Sequence, residues 1–313
     1  MTRRVLISGS VAYDTIMVFE GHFKDHILPD RVHMLNVSFL TPRLQREFGG
    51  CAANIAYNLK GLGGDPQILA AVGRDADDYM QRLEQFGIGT GNIARLADHY
   101  TAQAFITTDL ADNQIIAFHP GAMSHAHCVS ATDALPAVVG IVAPNGKDAM
   151  LRHCAQFRGA GLPFIFDPGQ GLPMFNGDEL RAILPVVTAV TVNDYESRML
   201  CEKTGWNEQE IAQRAATLIV TRGAEGSEIW SAGQRETVAP ASISRAVDPT
   251  GCGDAYRGGL LYGIAQGWTW VQAARLGSVM GAVKIEHQGA QNHRIDREEV
   301  AQRFERSYGS RPW

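Results

Sequence analysis

The stretch VDPTGCGDAYRGG, residues 247–259, decides how the rest of the chain is read. A proline and two glycines lead into the run 255–266, which has helical character. Glycine admits positive φ and lets a backbone come close to a ligand. The free N–H groups at a helix start, reinforced by the helix dipole, favour an anion. The turn Gly251-Cys252-Gly253 can therefore hold a negatively charged oxygen, and Asp254 puts a carboxylate beside it. That pairing suits phosphoryl transfer. The N–H groups stabilise charge on the moving group, and the carboxylate takes the proton of an attacking alcohol. A structural reading competes, because aspartate is a good N-cap and glycine-rich turns before helices are common. Gly258-Gly259, one turn on, lower helix propensity but allow close packing of a neighbouring helix.

Outward from this turn, strand-sized apolar runs alternate with helical segments. Val5-Leu6-Ile7 stops at Ser8-Gly9-Ser10, and a helix over 51–62 stops at Gly63-Gly64. Strands are expected at 68–72, 138–143, 164–166, 186–192 and 218–220. Helices are expected at 75–86, 147–157, and from Asp194, Asp254 and Trp270. Continuous apolar strands alternating with helices mean a mostly parallel sheet covered on both faces. Two strand-like pairs break the rhythm: 15–19 with 32–40, and 103–108 with 115–118. The expectation is a small antiparallel sheet from 15–40 and 101–121, forming a β lid over a core of 1–14, 41–100 and 122–313. Edge strands of the main sheet are the alternative.

The 313 residues are 45% hydrophobic and 19% charged, the composition of a soluble globular protein with a sizeable core. A net charge of −5 gives no reason to expect nucleic acid or an anionic membrane as partner. Five cysteines without a CxxC, and an N-terminus lacking the apolar length of a signal peptide, point to a reduced, cytoplasmic location. His125, His127 and Cys128 are metal-ligand types with no fourth ligand nearby, and read as a loop.

The 247–259 run resembles the C-terminal signature of the ribokinase-like (PfkB) family of carbohydrate and nucleoside kinases, written D-T-x-G-A-G-D. Phe48-Gly49-Gly50-Cys51-Ala52-Ala53-Asn54, continuing to Leu62-Gly63-Gly64, resembles the family's N-terminal signature. The likeness runs along essentially the whole chain. Pro249 and Cys252 depart from the pattern without removing a reactive group, since Cys252 would contribute only its backbone N–H. The resemblance implies an α/β fold: a three-layer αβα sandwich with a mostly parallel central sheet and a small β-sheet lid. It makes Asp254 the base and the backbone of Gly251, Cys252 and Gly253 the anion hole. It places Asp14 on sugar hydroxyls and makes Gly50 and Asn54 substrate contacts. Ser10 and Ser38 are grouped with them. On their own residues, Asp14 also reads as a turn residue and Asn54 as a polar group on a helix face.

The resemblance also implies ATP as co-substrate and Mg²⁺ as cofactor. Asn193-Asp194-Tyr195-Glu196 is similar to the family's N-x-x-E motif, with Glu196 reaching Mg²⁺ through water. The same residues also form a capping box, which needs no ligand. Thr221-Arg222-Gly223-Ala224-Glu225-Gly226 resembles the nucleotide loop, with Arg222 adding charge beside the ATP tail. A plain strand-to-hairpin turn is the alternative. Some relatives bind K⁺ near the 247–259 turn through backbone oxygens, which leaves K⁺ open here.

Residues 22–40, 116–123 and 284–291 are similar to the bacterial adenosine kinase branch. Phe118 could stack on a purine, with Phe39 as a second apolar candidate, and Gln170 could reach the base edge or lid. Core packing is the other role open to both phenylalanines. Ala104 stands where a second aromatic is expected, which would leave a roomier pocket. The expected reaction is phosphorylation of a nucleoside 5′-hydroxyl, adenosine first, with broader ribonucleoside use open. A ribokinase-like sugar kinase is the runner-up, and a non-catalytic nucleoside sensor the reading from another class. Exposed lid strands leave a homodimer open.

Overall fold

The computed structural model describes residues 3–27 and 36–313. In chain order it contains β1 (Arg4–Ser8), β2 (Ala12–Val18), β3 (Arg43–Gly49), α1 (Cys51–Gly61), β4 (Asp65–Gly73), α2 (Asp77–Gln85), β5 (Ile93–Leu96), β6 (Ala102–Thr108) and β7 (Gln114–His119). There follow β8 (Val139–Val142), α3 (Lys147–Gly159), β9 (Phe164–Phe166), α4 (Gly177–Ile183), β10 (Ala189–Asn193), α5 (Asp194–Thr204), α6 (Glu208–Arg214) and β11 (Thr217–Thr221). The chain continues through β12 (Ser227–Ser231), β13 (Gln234–Val238), α7 (Cys252–Ala265), α8 (Trp270–Ile285) and α9 (Arg297–Tyr308).

The main sheet runs β13-β12-β11-β10-β9-β8-β1-β4-β5, parallel except at β12 and β13. Its central strands bury both faces, which is why they read as unbroken apolar runs. Alternation sorts their side chains. Val5, Ile7, Ile68 and Ala70 join a core with residues of α1, α2, α7, α8 and α9. Leu6, Leu69, Val190 and Val220 join a second core with α3, α4, α5 and α6. Two helical layers on one sheet make the αβα sandwich.

The second sheet runs β3-β2-β6-β7. It differs from the sequence expectation in two ways. Its third pairing partner is β3 at Arg43–Gly49, not a strand within 32–40. Residues 36–40 are irregular, and 32–35 lie outside the described residues. Arg43, Arg46 and Glu47 interrupt the alternation of β3, while Phe39, which read as a strand residue, packs on Phe19 and Phe23 at 4.9 and 5.0 Å between ring centroids. The boundary at residue 41 therefore divides the small sheet's own strand from it. The sheet is also not wholly antiparallel, because β2 and β6 pair in parallel. Each leaves the main layer in the same direction, β2 soon after β1 and β6 soon after β5, so no hairpin joins them.

α7 lies between α1 and α8 at backbone range. A Cβ on Gly258 would stand 2.6 Å from Asn58 Cβ, and one on Gly259 would stand 2.9 Å from Gly277 Cα. Glycine at these positions sacrifices helix propensity for contact.

Candidate active site

α7 begins behind Gly251, which sits in the left-handed region at φ 76°. A side chain there would also meet Ala290, with Cβ to Cβ at 2.8 Å. Asp254 lies in the first turn of the helix, beside the N–H groups of the helix start, of which that of Cys252 donates to the Pro249 carbonyl at 3.1 Å. It is half-buried. Crowding by the surrounding protein pushes the Asp254 carboxyl up to about 7. A hydrogen bond from Asn54 and the nearby Arg257 charge pull the other way, while Asp167 reinforces the rise.

Asn54, on α1, donates from Nδ2 to Asp254 Oδ2 at 2.8 Å. Its Oδ1 accepts from Gln291 Nε2 at 2.8 Å, and the same nitrogen reaches the Tyr79 hydroxyl at 2.8 Å. Tyr79 donates in turn to the carbonyl of Gly49. This chain fixes which way the Asn54 carboxamide faces. Tyr79 lies in no motif and Gln291 only at the end of the 284–291 likeness, and neither is singled out as a site residue from sequence.

α1 starts where β3 ends, at Gly49-Gly50. A Cβ on Gly49 would stand 2.5 Å from Asp14 Oδ2, and Gly50, at φ 89°, would place one 2.7 Å from the Ser10 carbonyl. The glycine pair thus lets β2, β3 and the loop after β1 converge. Asp14 is half-buried, and burial, with Glu47 beside it, pushes its carboxyl up to about 6. Ser10 accepts the N–H of Cys51 at 3.0 Å through its hydroxyl, supporting the start of α1. Ser10, Asp14, Gly50, Asn54, Gly251, Cys252, Gly253 and Asp254 therefore fall in one contact chain.

Across the small sheet, register puts Glu47, Asp14, Ala104 and Phe118 in one row. Cross-strand neighbours share a face, so Asp14 and Phe118 stand two strands apart on the same side, about 10 Å by strand spacing. Phe118 is 53% exposed.

One turn after Asp254, the buried Arg257 grips the buried Asp167 with both arms, Nε to Oδ2 at 2.8 Å and Nη2 to Oδ1 at 3.0 Å. Its Nη1 donates to the Gly253 carbonyl at 3.3 Å, behind the glycine turn. Asp167 reads in sequence only as a strand end. Arg257 reads as one charge in a helix, because a buried ion pair is visible only once its partner is placed.

The remaining candidates lie on other elements. Asn193 caps α5 and closes a capping box with Glu196, accepting Glu196 N at 2.7 Å and giving its own N–H to Glu196 Oε2 at 2.8 Å. Burial raises the Glu196 pKa, and the Asp167–Arg257 pair lies within its electrostatic reach. Thr221 ends β11, and Gly223 and Gly226 follow at φ 55° and 88°. Arg222, expected to face phosphate, pairs with Glu228 at 3.1 Å and Glu208 at 3.4 Å. Gln170 is exposed in a 3₁₀ turn after Asp167-Pro168, and Ser38 is exposed in the irregular stretch before β3. His125, His127 and Cys128 lie in a 3₁₀ stretch.

Among the described residues no cluster of three or more His, Cys, Asp or Glu side chains is arranged to hold a metal ion. Glu196 keeps one oxygen outside its capping bond. That donor set fits a hydrated Mg²⁺ carried by phosphate, which uses few protein ligands, and not a protein cage. No described helix is long and apolar enough to cross a membrane.

The profile of the pfkB family carbohydrate kinases matches residues 4–297, and the chain belongs to that family. It is 30% identical to a nucleoside kinase of Methanothermobacter thermautotrophicus, over 99% of this chain and 98% of that one. The structure of Burkholderia thailandensis nucleoside kinase in complex with inosine superposes with a TM-score of 0.89 at 49% identity, covering 98% of this chain and 99% of the other. The nucleoside kinase of Methanocaldococcus jannaschii superposes at 0.86 with 25% identity, over 97% and 99% of the two chains.

Proposed function

We propose that this pfkB family member transfers the γ-phosphoryl group of ATP to the 5′-hydroxyl of a nucleoside. One observation carries the reading: a carboxyl pushed up to about 7 stands at a helix mouth behind a left-handed glycine, held by the asparagine that follows Gly49-Gly50. A base poised near neutrality is suited to take a hydroxyl proton. Asp254 accepts that proton as the alcohol oxygen bonds to phosphorus and the bond to the β-phosphate oxygen breaks, releasing ADP. The N–H groups of Gly251, Cys252 and Gly253 would stabilise the moving PO₃ unit, with that of Cys252 shared with the Pro249 carbonyl 3.1 Å away.

The row across the small sheet supports a nucleoside over a free sugar. Asp14 would take the ribose hydroxyls and Phe118 the base, with the small Ala104 between them leaving room for it. Inosine in the similar Burkholderia enzyme favours purine ribonucleosides beyond adenosine. Gln170 would serve the base edge, Ser38 the substrate mouth, and Ser10 the backbone that Gly50 approaches. Asn193, Thr221 and the backbone of Arg222, Gly223 and Gly226 would line the nucleotide, since the Arg222 side chain is already paired. Glu196 would hold Mg²⁺ through water, and the metal when bound offsets phosphate charge. The small sheet would close over the site and exclude water. On its opposite face the exposed Leu44, Phe105 and Ile115 would pair two copies, which gel filtration reads.

The test is ATP consumption with adenosine, inosine, guanosine, cytidine and ribose. Turnover on nucleosides above ribose is expected. Preference for ribose overturns the substrate, and tight nucleoside binding without turnover with any acceptor overturns the reaction.

A further inference from the structure

Lys284, on α8, is 0% exposed. Its Nζ donates to the Asp248 carbonyl at 2.7 Å and the His287 carbonyl at 3.0 Å, and stands 3.8 Å from the Asp248 carboxylate. That carboxylate accepts the N–H groups of Thr250 and Gly289, each at 2.8 Å. Those bonds hold the Asp248 pKa down against burial. Asp248 to Thr250 lead directly into the glycine turn, and Ala290 packs on Gly251. The ammonium therefore ties the approach to the turn onto the loop that supports the turn from behind.

A buried ammonium is costly unless oxygen acceptors surround it. Two carbonyls and a carboxylate converging on one point are also what a bound monovalent cation would need, because hard cations take oxygen ligands. At this point the charge is supplied by the chain itself. The K⁺ that the resemblance left open does not fit in this cradle, whose oxygens are already taken.

We propose that Lys284 is a positioning residue, a built-in cation that holds the anion-hole turn in shape where a bound ion would otherwise be required. The inference rests on the phosphoryl-transfer reading of that turn. The ammonium touches no reacting atom and acts through the carbonyl of Asp248 and the backbone that follows it.

The experiment compares wild type, Lys284→Met and Lys284→Ala in choline buffer, then titrates K⁺, ammonium and methylammonium. Wild-type turnover is expected to be the same with and without K⁺. Lys284→Met fills the space without charge and loses about tenfold or more in kcat, the scale of a lost charged hydrogen bond, with no cation rescue. Lys284→Ala opens the cradle. Its kcat falls as far and recovers with ammonium or K⁺, and its thermal midpoint rises with the same ions while that of Lys284→Met does not. Wild type that needs K⁺, Lys284→Met with normal kcat, or a Lys284→Ala loss that no cation restores would each overturn the proposal. If Lys284→Ala does not fold in choline, folding on addition of ammonium supports it, and failure with every cation overturns it. If wild type turns over no acceptor, the function reading fails, while the thermal comparison still decides the role of Lys284.

Discussion

Asn54 and Asp254 meet side chain to side chain, Nδ2 to Oδ2 at 2.8 Å, although 200 residues separate them. The contact joins the helix after the first glycine pair to the helix after the second. It exists because α1 and α7 approach closely at Gly258, and because Gln291 holds the far end of the carboxamide. The strongest sequence signals thus converge on a single hydrogen bond.

Removing the carboxylate while keeping its shape isolates its chemistry. Asp254→Asn should lower kcat by roughly 10²- to 10⁴-fold, the usual range for a lost general base. Nucleoside affinity should change little. Steady-state kinetics with calorimetric titration of the nucleoside checks both, and near-normal turnover would remove the assignment.

The raised Asp254 pKa gives an acid limb. Only the ionised form accepts a proton, so kcat/KM should rise with pH through about 7 and level off above it. The Asn54 bond favours ionisation. Asn54→Leu should therefore move that limb to higher pH, besides lowering the rate. A limb that stays in place in the variant would uncouple the two residues.

Stability carries the same signature with its own sign. Asp254 near 7 and Asp14 near 6 hold protons in the folded state that the unfolded chain has released above about 4. Their contribution is present below that value and is lost as pH rises through 6 and 7. Relative to wild type, Asp254→Asn should gain more stability at pH 8 than at pH 5. The difference should be on the order of 1 kcal/mol or more, since each tenfold change in an ionisation constant corresponds to about 1.4 kcal/mol. Urea unfolding at the two pH values reads it, and an equal effect at both would contradict the raised pKa.

Asp14 should act on binding more than on rate. Asp14→Ala is expected to raise the nucleoside KM by roughly 10- to 100-fold, the scale of lost charged hydrogen bonds, with a smaller change in kcat. Initial-rate kinetics at saturating ATP separates the two parameters. A fall confined to kcat would place Asp14 elsewhere in the reaction.

The Arg257–Asp167 pair becomes a liability if broken from one side. Asp167→Ala leaves a guanidinium buried without its carboxylate and should destabilise the chain by about 3–5 kcal/mol. Denaturant unfolding measures this directly. A cost below about 1 kcal/mol, the level of an exposed pair, would mean that water reaches Arg257.

The sandwich was legible because its determinants are local. Apolar runs such as Val5-Leu6-Ile7 and Leu218-Ile219-Val220, short and closed by turn residues, read as buried strands, and Gly63 and Gly205 end helices as their positive φ permits. β3 was hidden because Arg43, Arg46 and Glu47 look like loop composition, and only pairing with β2 makes that segment extended. The parallel pairing of β2 with β6 was equally out of reach, since direction depends on where each strand leaves the main layer. In the site, the glycine turns announce themselves by residue type. Gln291, Arg257 and Lys284 do not, because each matters through partners at least 36 positions away or on another element, apart from the nearby His287 and Gly253 carbonyls. Arg222 shows the converse error: a charge in a promising loop whose neighbours Glu208 and Glu228 had already claimed it.

The bare flanks of α7 have a mechanical corollary. With Gly258 against Asn58 and Gly259 against Gly277, the helix bearing Asp254 has no side chain of its own between it and its neighbours at these two points, which leaves little room to slide or rotate. On the proposed reaction its aspartate would serve as a fixed anvil. Any travel that brings alcohol and phosphate together in that reaction would fall to the reactants and to the small sheet, so crowding those flanks should jam assembly of the fold before it retunes the chemistry.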